Sequence, residues 1–211
     1  KLPDTSFSSR AAAFPIDAGI GIKSVKGCLC CAKAWGNKMK ELPEALVLAK
    51  QIGAKLSGKT VRRVLPPASV HKFTWFNGDP AGYDALLHGR TLLSACAFGG
   101  YTELEFGGLS LAVNDGVCVT YLERGAPRPK KYQMCIEFTD QSALVFTVAM
   151  YGGIILHGPD YDNPYYLANR DRVSPISDGF TYAYFEALFQ SVKPTLSLKA
   201  FLATEQRIPG L

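Results

Sequence analysis

The seven residues Met39-Lys40-Glu41-Leu42-Pro43-Glu44-Ala45 bring one amine and two carboxylates into a single short stretch. A lysine amine removed from water can act as a nucleophile and form a Schiff base, and a carboxyl group can deliver a proton to a departing group. Lys40, Glu41 and Glu44 are therefore the candidate catalytic residues. A second set suits nucleic acid: His71 adjoins a cation, Lys72, and two aromatics, Trp75 and Phe76, that could stack on DNA. The plainer alternative there is a surface turn beside a core aromatic. Arg124, Lys130 and Lys131 form a cluster of cations, and 59–63 forms another; each also reads as a solvated turn. Thiols gather at Cys28, Cys30 and Cys31, but tight zinc binding needs four ligands, commonly as two spaced pairs, and no second pair follows. No metal ligand is assigned. Cys96, Cys118 and Cys135 stand singly in expected strands, where a free cysteine behaves as a small buried hydrophobe.

The elements that must position these groups follow from periodicity. Over 41–56, Leu42, Leu46, Ala49, Ile52 and Leu56 recur at helical spacing, with acidic residues in the first turn and Gly58 just past the end. From 60 to 157 short alternating runs succeed one another, at 60–65, 91–98, 101–106, 109–113, 117–122, 132–138, 143–149 and 153–156. Turn formers such as Asn114-Asp115-Gly116 and Asp140-Gln141 separate them, which predicts an antiparallel β-sandwich. A short helix interrupts the strands, with Asp79 as its cap, Pro80 in its first turn and Gly89 at its end. The stretch 158–172 is rich in Pro, Asp and Asn and reads as a polar connection. Beyond it Phe180, Tyr184, Leu188 and Val192 form an apolar stripe, and Leu198, Phe201 and Leu202 begin another helix.

With 211 residues and 47% apolar content, the chain can bury one good core and part of a second domain. No apolar run reaches the roughly 18 residues needed to span a bilayer, and 1–37 lacks the apolar core of a signal peptide, so a cytoplasmic protein without membrane contact is expected. The formal net charge is +5, and residues 1–38 hold six basic and two acidic residues, a net of +4, which leaves +1 for the remainder. A body so nearly neutral predicts a small nucleic-acid footprint or a basic face supplied elsewhere.

The Met39 to Ala45 string resembles the start of the formamidopyrimidine-DNA glycosylase and endonuclease VIII family, which begins Met-Pro-Glu-Leu-Pro-Glu. It is most similar to a bacterial subgroup that starts Met-x-Glu-Leu-Pro-Glu-Ala without the proline. Gly89-Arg90, the strand after it and Phe98-Gly99-Gly100-Tyr101 resemble the family's Gly-Arg, strand, Arg-Gly-Lys-Tyr pattern; Lys130 to Phe138 and Asp140-Gln141 resemble its Lys-His strand and hairpin. Ser174-Pro175-Ile176-Ser177-Asp178 with 180–192 is similar to the entry of its helix-two-turn-helix module. The resemblance implies that Lys40 replaces the family's nucleophilic proline, that Glu41 holds the position of the acid that protonates the opening sugar, and that Gly100 replaces a lysine that contacts DNA phosphate. It also implies double-stranded damaged DNA as partner, no cofactor in this stretch, and a zinc finger in a region after Leu211.

Together these readings predict an α+β fold. It comprises an extension at 1–38, a glycosylase-like sandwich at 39–158, a linker at 159–173 and an incomplete helix-two-turn-helix domain at 174–211. A monomeric base-excision glycosylase acting on oxidised bases, with either Lys40 or activated water displacing the base and AP lyase activity as an option, is one functional expectation. The alternative is a DNA-binding relative that recognises damaged or structured DNA without cutting it.

Overall fold

Pro43 stands in the first turn of a helix, where a missing N–H removes no intrahelical hydrogen bond. That helix, α1 (Leu42–Leu56), opens the computed structural model, which describes residues 40–205 and 207–210. Cys28, Cys30 and Cys31 lie outside the described residues. Helix α1 buries Leu42, Ala45, Leu48, Ala49, Ile52 and Leu56, while Leu46 is half-buried. The buried stripe is thus turned slightly from the expected one, with Ala45 and Leu48 facing inward.

Nine strands follow: β1 (Val61–Leu65), β2 (Thr74–Phe76), β3 (Ser94–Phe98), β4 (Tyr101–Glu105), β5 (Ser110–Val113), β6 (Val117–Leu122), β7 (Met134–Phe138), β8 (Ala143–Val148) and β9 (Gly152–His157). They form a four-stranded sheet in the order β1-β7-β8-β6 and a five-stranded sheet in the order β2-β9-β5-β4-β3. All pairs are antiparallel except β2 with β9, which is parallel and aligns Trp75 with Gly153. The mixed fold with a largely antiparallel sandwich is the expected one. Strand β2 was not foreseen, because three residues are too short for alternation to register.

The two sheets close on one core. Leu104, Leu111 and Ile154 from the larger sheet and Ile136, Leu144 and Phe146 from the smaller are fully enclosed with Leu48 and Ile52 of α1. Each such side chain contributes roughly 1.5–3 kcal/mol relative to exposure. The expected cap at Asp79 is present, its carboxylate accepting from the Ala81 N–H at 2.9 Å, before a 3-10 turn at Pro80–Gly82 and helix α2 (Tyr83–Leu87). Cys135 is buried as expected, whereas Cys96 on β3 is exposed and Cys118 half-exposed.

The polar connection contains a helix, α3 (Pro164–Asp171). Asn163 caps it by accepting from the Tyr165 and Tyr166 N–H groups, and Pro164 occupies its first turn. The same Asp, Asn and Pro residues that mark a loop by composition here mark a helix start. Helix α4 (Tyr182–Gln190) is capped by Thr181 and buries none of its residues fully, although Phe185 and Phe189 meet Phe201 of a single π-helical turn at Ala200–Thr204. Among the described residues no helix is long and apolar enough to cross a membrane.

Candidate functional site

Four segments converge where α1 begins. Glu41 caps the helix in a reciprocal box: its carboxylate accepts from the Glu44 backbone N–H, and Glu44 Oε2 accepts from the Glu41 N–H at 3.2 Å. Both side chains are exposed. The Leu42 N–H, one of the donors a helix start leaves without an internal partner, goes to the Gly210 carbonyl at 3.1 Å. Gly210 must be glycine here, since its φ is +84° and a Cβ would lie 2.7 Å from Leu42 Cβ and 2.9 Å from the Gly99 carbonyl group.

Lys40 is only 7% exposed, and its backbone N–H donates to the Asp115 carbonyl at 2.9 Å. Burial pushes the Asp115 carboxyl above its ordinary value; the Gly116 N–H and the charge of Lys40 oppose this without cancelling it. A Cβ on Gly100 would stand 3.3 Å from Asp115 Cβ and 3.7 Å from the Lys40 carbonyl oxygen. The two positions where the resemblance marks an altered amine are therefore neighbours in space. Next to them Asn169 of α3 packs so tightly on the β3–β4 turn that a Cβ on Gly99 would meet its Oδ1 at 2.1 Å. Asp115 and Asn169 were missed by sequence reasoning: Asp115 served only as a turn former, and Asn169 as a linker residue.

A second cluster holds α3 to the outer face of the larger sheet. Glu103 of β4 is buried and accepts from the Tyr166 hydroxyl and, at 3.3 Å, from Arg170 Nη1, which also donates to the Tyr166 oxygen. His157 Nε2 faces the same carboxylate at 3.4 Å, and His157 Nδ1 lies 2.7 Å from the Gly158 carbonyl, so Nδ1 carries a proton. Burial alone would raise the Glu103 carboxyl; His157, Tyr166 and Arg170 outweigh it and hold it below its ordinary value. The Tyr166 phenol is raised by burial and by the carboxylate it serves. A cavity of about 360 Å³ opens beside this cluster, lined by His157, Tyr161, Tyr166 and Arg170 together with Glu105 and Asp171.

The residues expected to touch nucleic acid are spread over both sheets. His71 and Lys72 precede β2, with the Lys72 ammonium 5.3 Å from the Phe73 ring centre, whereas Arg124, Lys130 and Lys131 are exposed on the β6–β7 connection of the smaller sheet. Trp75 lines a shallow concavity of about 370 Å³ on the outer face of the larger sheet, with Tyr101, Tyr151 and Tyr165 around it. Phe76 faces inward instead, its ring meeting Tyr83 edge-on at 6.2 Å. Among the described residues no group of three or more His, Cys, Asp or Glu side chains is arranged to hold a metal ion.

Comparison with known proteins gives its result at the level of structure. No family model matches the sequence. No curated protein matches it either. Similar solved structures include Lactococcus lactis formamidopyrimidine-DNA glycosylase non-covalently bound to DNA containing an abasic site, at 20% identity and a TM-score of 0.63 over 81% of this chain. The same enzyme bound to DNA containing N7-benzyl-Fapy-dG is similar at 20% identity with a TM-score of 0.62, again over 81% of this chain. A MutM complex with DNA containing carbocyclic 8-oxo-G is similar at 19% identity, with a TM-score of 0.62 over 81% of this chain. The chain spans 65%, 63% and 64% of those proteins respectively. The sandwich, with a capped helix at its edge and further helices after its last strand, is the fold of the formamidopyrimidine-DNA glycosylases.

Proposed function

We propose that this chain acts in base-excision DNA repair as a glycosylase of oxidised bases, with Lys40 as the amine and Asp115 as the acceptor of its proton. The observation that carries the reading is the enclosure of Lys40 beside a carboxyl group whose affinity for protons burial has raised. A lysine in such surroundings is suited to Schiff-base formation. Asp115 takes one proton from the Lys40 ammonium, the freed amine attacks the sugar C1′, and the base leaves with the electron pair of the glycosidic bond. The leaving base takes the proton that the new C–N bond releases, and Glu41 protonates the sugar oxygen as the ring opens to the iminium. Glu44 tethers the Glu41 backbone through the capping box. His71, Lys72, Arg124, Lys130 and Lys131 supply phosphate contacts to duplex DNA in a monomeric protein. Support comes from the fold shared with glycosylases whose structures contain abasic-site or 8-oxo-G DNA.

One observation favours a second reading. The Glu41 carboxylate is engaged with its own helix, a structural task that a binder without cleavage would keep. Borohydride trapping on an oligonucleotide with an abasic site separates the two. The glycosylase and lyase reading requires a covalent adduct that Lys40→Ala abolishes and Asp115→Asn reduces. An adduct that survives Lys40→Ala overturns Lys40 as the amine. Binding without any adduct and without base release supports the binder, and base release without an adduct indicates attack by water.

A further inference from the structure

Strands β3 and β4 are joined by Gly99-Gly100, a two-residue hairpin with no side chain of its own to fix where it lies. Its position is imposed by its neighbours. Gly99 has a φ of +51°, and the three heavy atoms nearest to a Cβ built on it all belong to the Asn169 side chain, Cγ at 2.8 Å and Cβ at 3.0 Å among them. The Asn169 amide is oriented for this contact: Nδ2 donates to the Tyr165 carbonyl at 2.9 Å, which turns Oδ1 to the hairpin. Gly210 abuts the Gly99 carbonyl, so two segments distant in sequence clasp the turn. Gly100 in turn lies on Asp115 and on the Lys40 carbonyl. Asn169 follows Tyr166 by three residues, which puts both on the buried face of α3. The seat of Tyr166 on Ala112 and Ile155, with its hydroxyl on Glu103, therefore sets where Asn169 presses.

We infer that Asn169 is a positioning residue: from α3 it holds the Gly99-Gly100 hairpin over Asp115 and keeps water from the carboxylate beside Lys40. Two glycines lose more freedom on ordering than any other pair, so without the clasp the hairpin moves and water enters. Burial is what raises the Asp115 carboxyl, against the Gly116 N–H and the charge of Lys40, and entry of water removes that cause. The other titratable groups coupled to Asp115 are Tyr101 of β4 and Tyr151 just before β9. Both phenols are raised, first by burial, so neither changes charge in the acid range where a carboxyl titrates. Glu103, His157 and Arg170 hold the far side of α3. The catalytic consequence of the inference rests on the reading of Lys40 and Asp115 as amine and base; its physical consequence rests on the packing alone.

The test follows the Asp115 carboxyl carbon by NMR through an acid titration of the full, isotopically labelled chain. Wild type is expected to titrate above the ordinary 3.8, and Asn169→Ala to fall toward it. Tyr166→Phe keeps the ring but removes the hydroxyl that reaches Glu103, and it shifts Asp115 in the same direction by less. Gly99→Asn in the Asn169→Ala background returns a carboxamide to the vacated space from the hairpin itself, at a positive φ that asparagine tolerates. That double variant is expected to restore the wild-type titration, which a general loosening of α3 does not allow. In borohydride trapping on an abasic oligonucleotide, Asn169→Ala slows adduct formation at neutral pH by up to about tenfold for each unit the carboxyl falls, and moves the acid limb of the profile to lower pH. An Asp115 titration unmoved by Asn169→Ala, or moved and not restored by Gly99→Asn, overturns the inference. A shift with rescue but no adduct in wild type retains the clasp and removes the Schiff-base reading; an adduct with Asp115 unmoved does the reverse.

Discussion

Helices α1 and α3 both pack against the five-stranded sheet, and they are held in opposite ways. Helix α1 is held by area: six of its residues are buried and all six are apolar. Helix α3 buries Tyr166 and Asn169; the Tyr166 ring packs on Ala112 and Ile155, and the attachment also runs through the Glu103 carboxylate, the Tyr166 hydroxyl and the Arg170 guanidinium. Hydrophobic burial is non-directional and insensitive to protonation, whereas a buried carboxylate holds only while its donors remain aligned and its charge persists. The difference assigns α1 to the permanent scaffold. It makes α3, which carries Asn169 to the Gly99 turn and Tyr165 to the aromatic concavity, the part whose docking responds to charge.

The contrast is broken most forcefully at α1. Ile52→Ala is expected to cost about 2–5 kcal/mol of unfolding free energy, from lost transfer energy and the cavity left in a full core. Urea denaturation at neutral pH measures it, and a cost under 1 kcal/mol would mean that α1 is not part of the main core. At α3 the corresponding change is Glu103→Ala, which leaves Tyr166 and Arg170 without their acceptor; about 2 kcal/mol is expected, tempered by the half-exposed Arg170. Hydrogen exchange should locate the loosening in 164–171 and spare 42–56. Uniform loosening of both helices would erase the distinction.

Acid sharpens the comparison with no mutation. The folded Glu103 carboxyl sits below its ordinary value of 4.5, so its contribution is fully present above that pH and is lost as pH falls through the depressed folded value. Exchange of α3 should therefore accelerate below about pH 4.5 while α1 keeps its protection, and Glu103→Gln should remove that local pH dependence. The smallest effect is expected at the β7–β8 turn. There Asp140 pairs with Lys59 at 2.6 Å; burial would raise the carboxyl, but Lys59 and Ser142 bring it down to about 2. The Asp140 side chain is 46% exposed, so solvent screening limits Lys59→Ala to below about 1 kcal/mol, shrinking further in salt. A loss as large as that of Glu103→Ala would contradict the ranking.

Local pattern in the chain determined what repeats over short distances. The α1 stripe, eight of the nine strands, the Asp79 cap and the Asp140-Gln141 turn follow from spacing and turn chemistry that neighbouring residues carry by themselves. Helix α3 was legible in principle, since Asn163-Pro164 is a helix start, but Asp, Asn and Pro composition also describes a loop, and only the docked Tyr166 decides between them. Tertiary structure alone decided the partners. Glu103 meets Tyr166 across 63 positions of sequence, Lys40 lies beside Asp115, and Trp75 comes to Tyr165 through the β2–β9 pairing and the placement of α3. Periodicity states which face of an element turns inward. It does not state which carboxylate, amine or ring waits there, because that depends on strand register and on the packing of segments far apart in the chain.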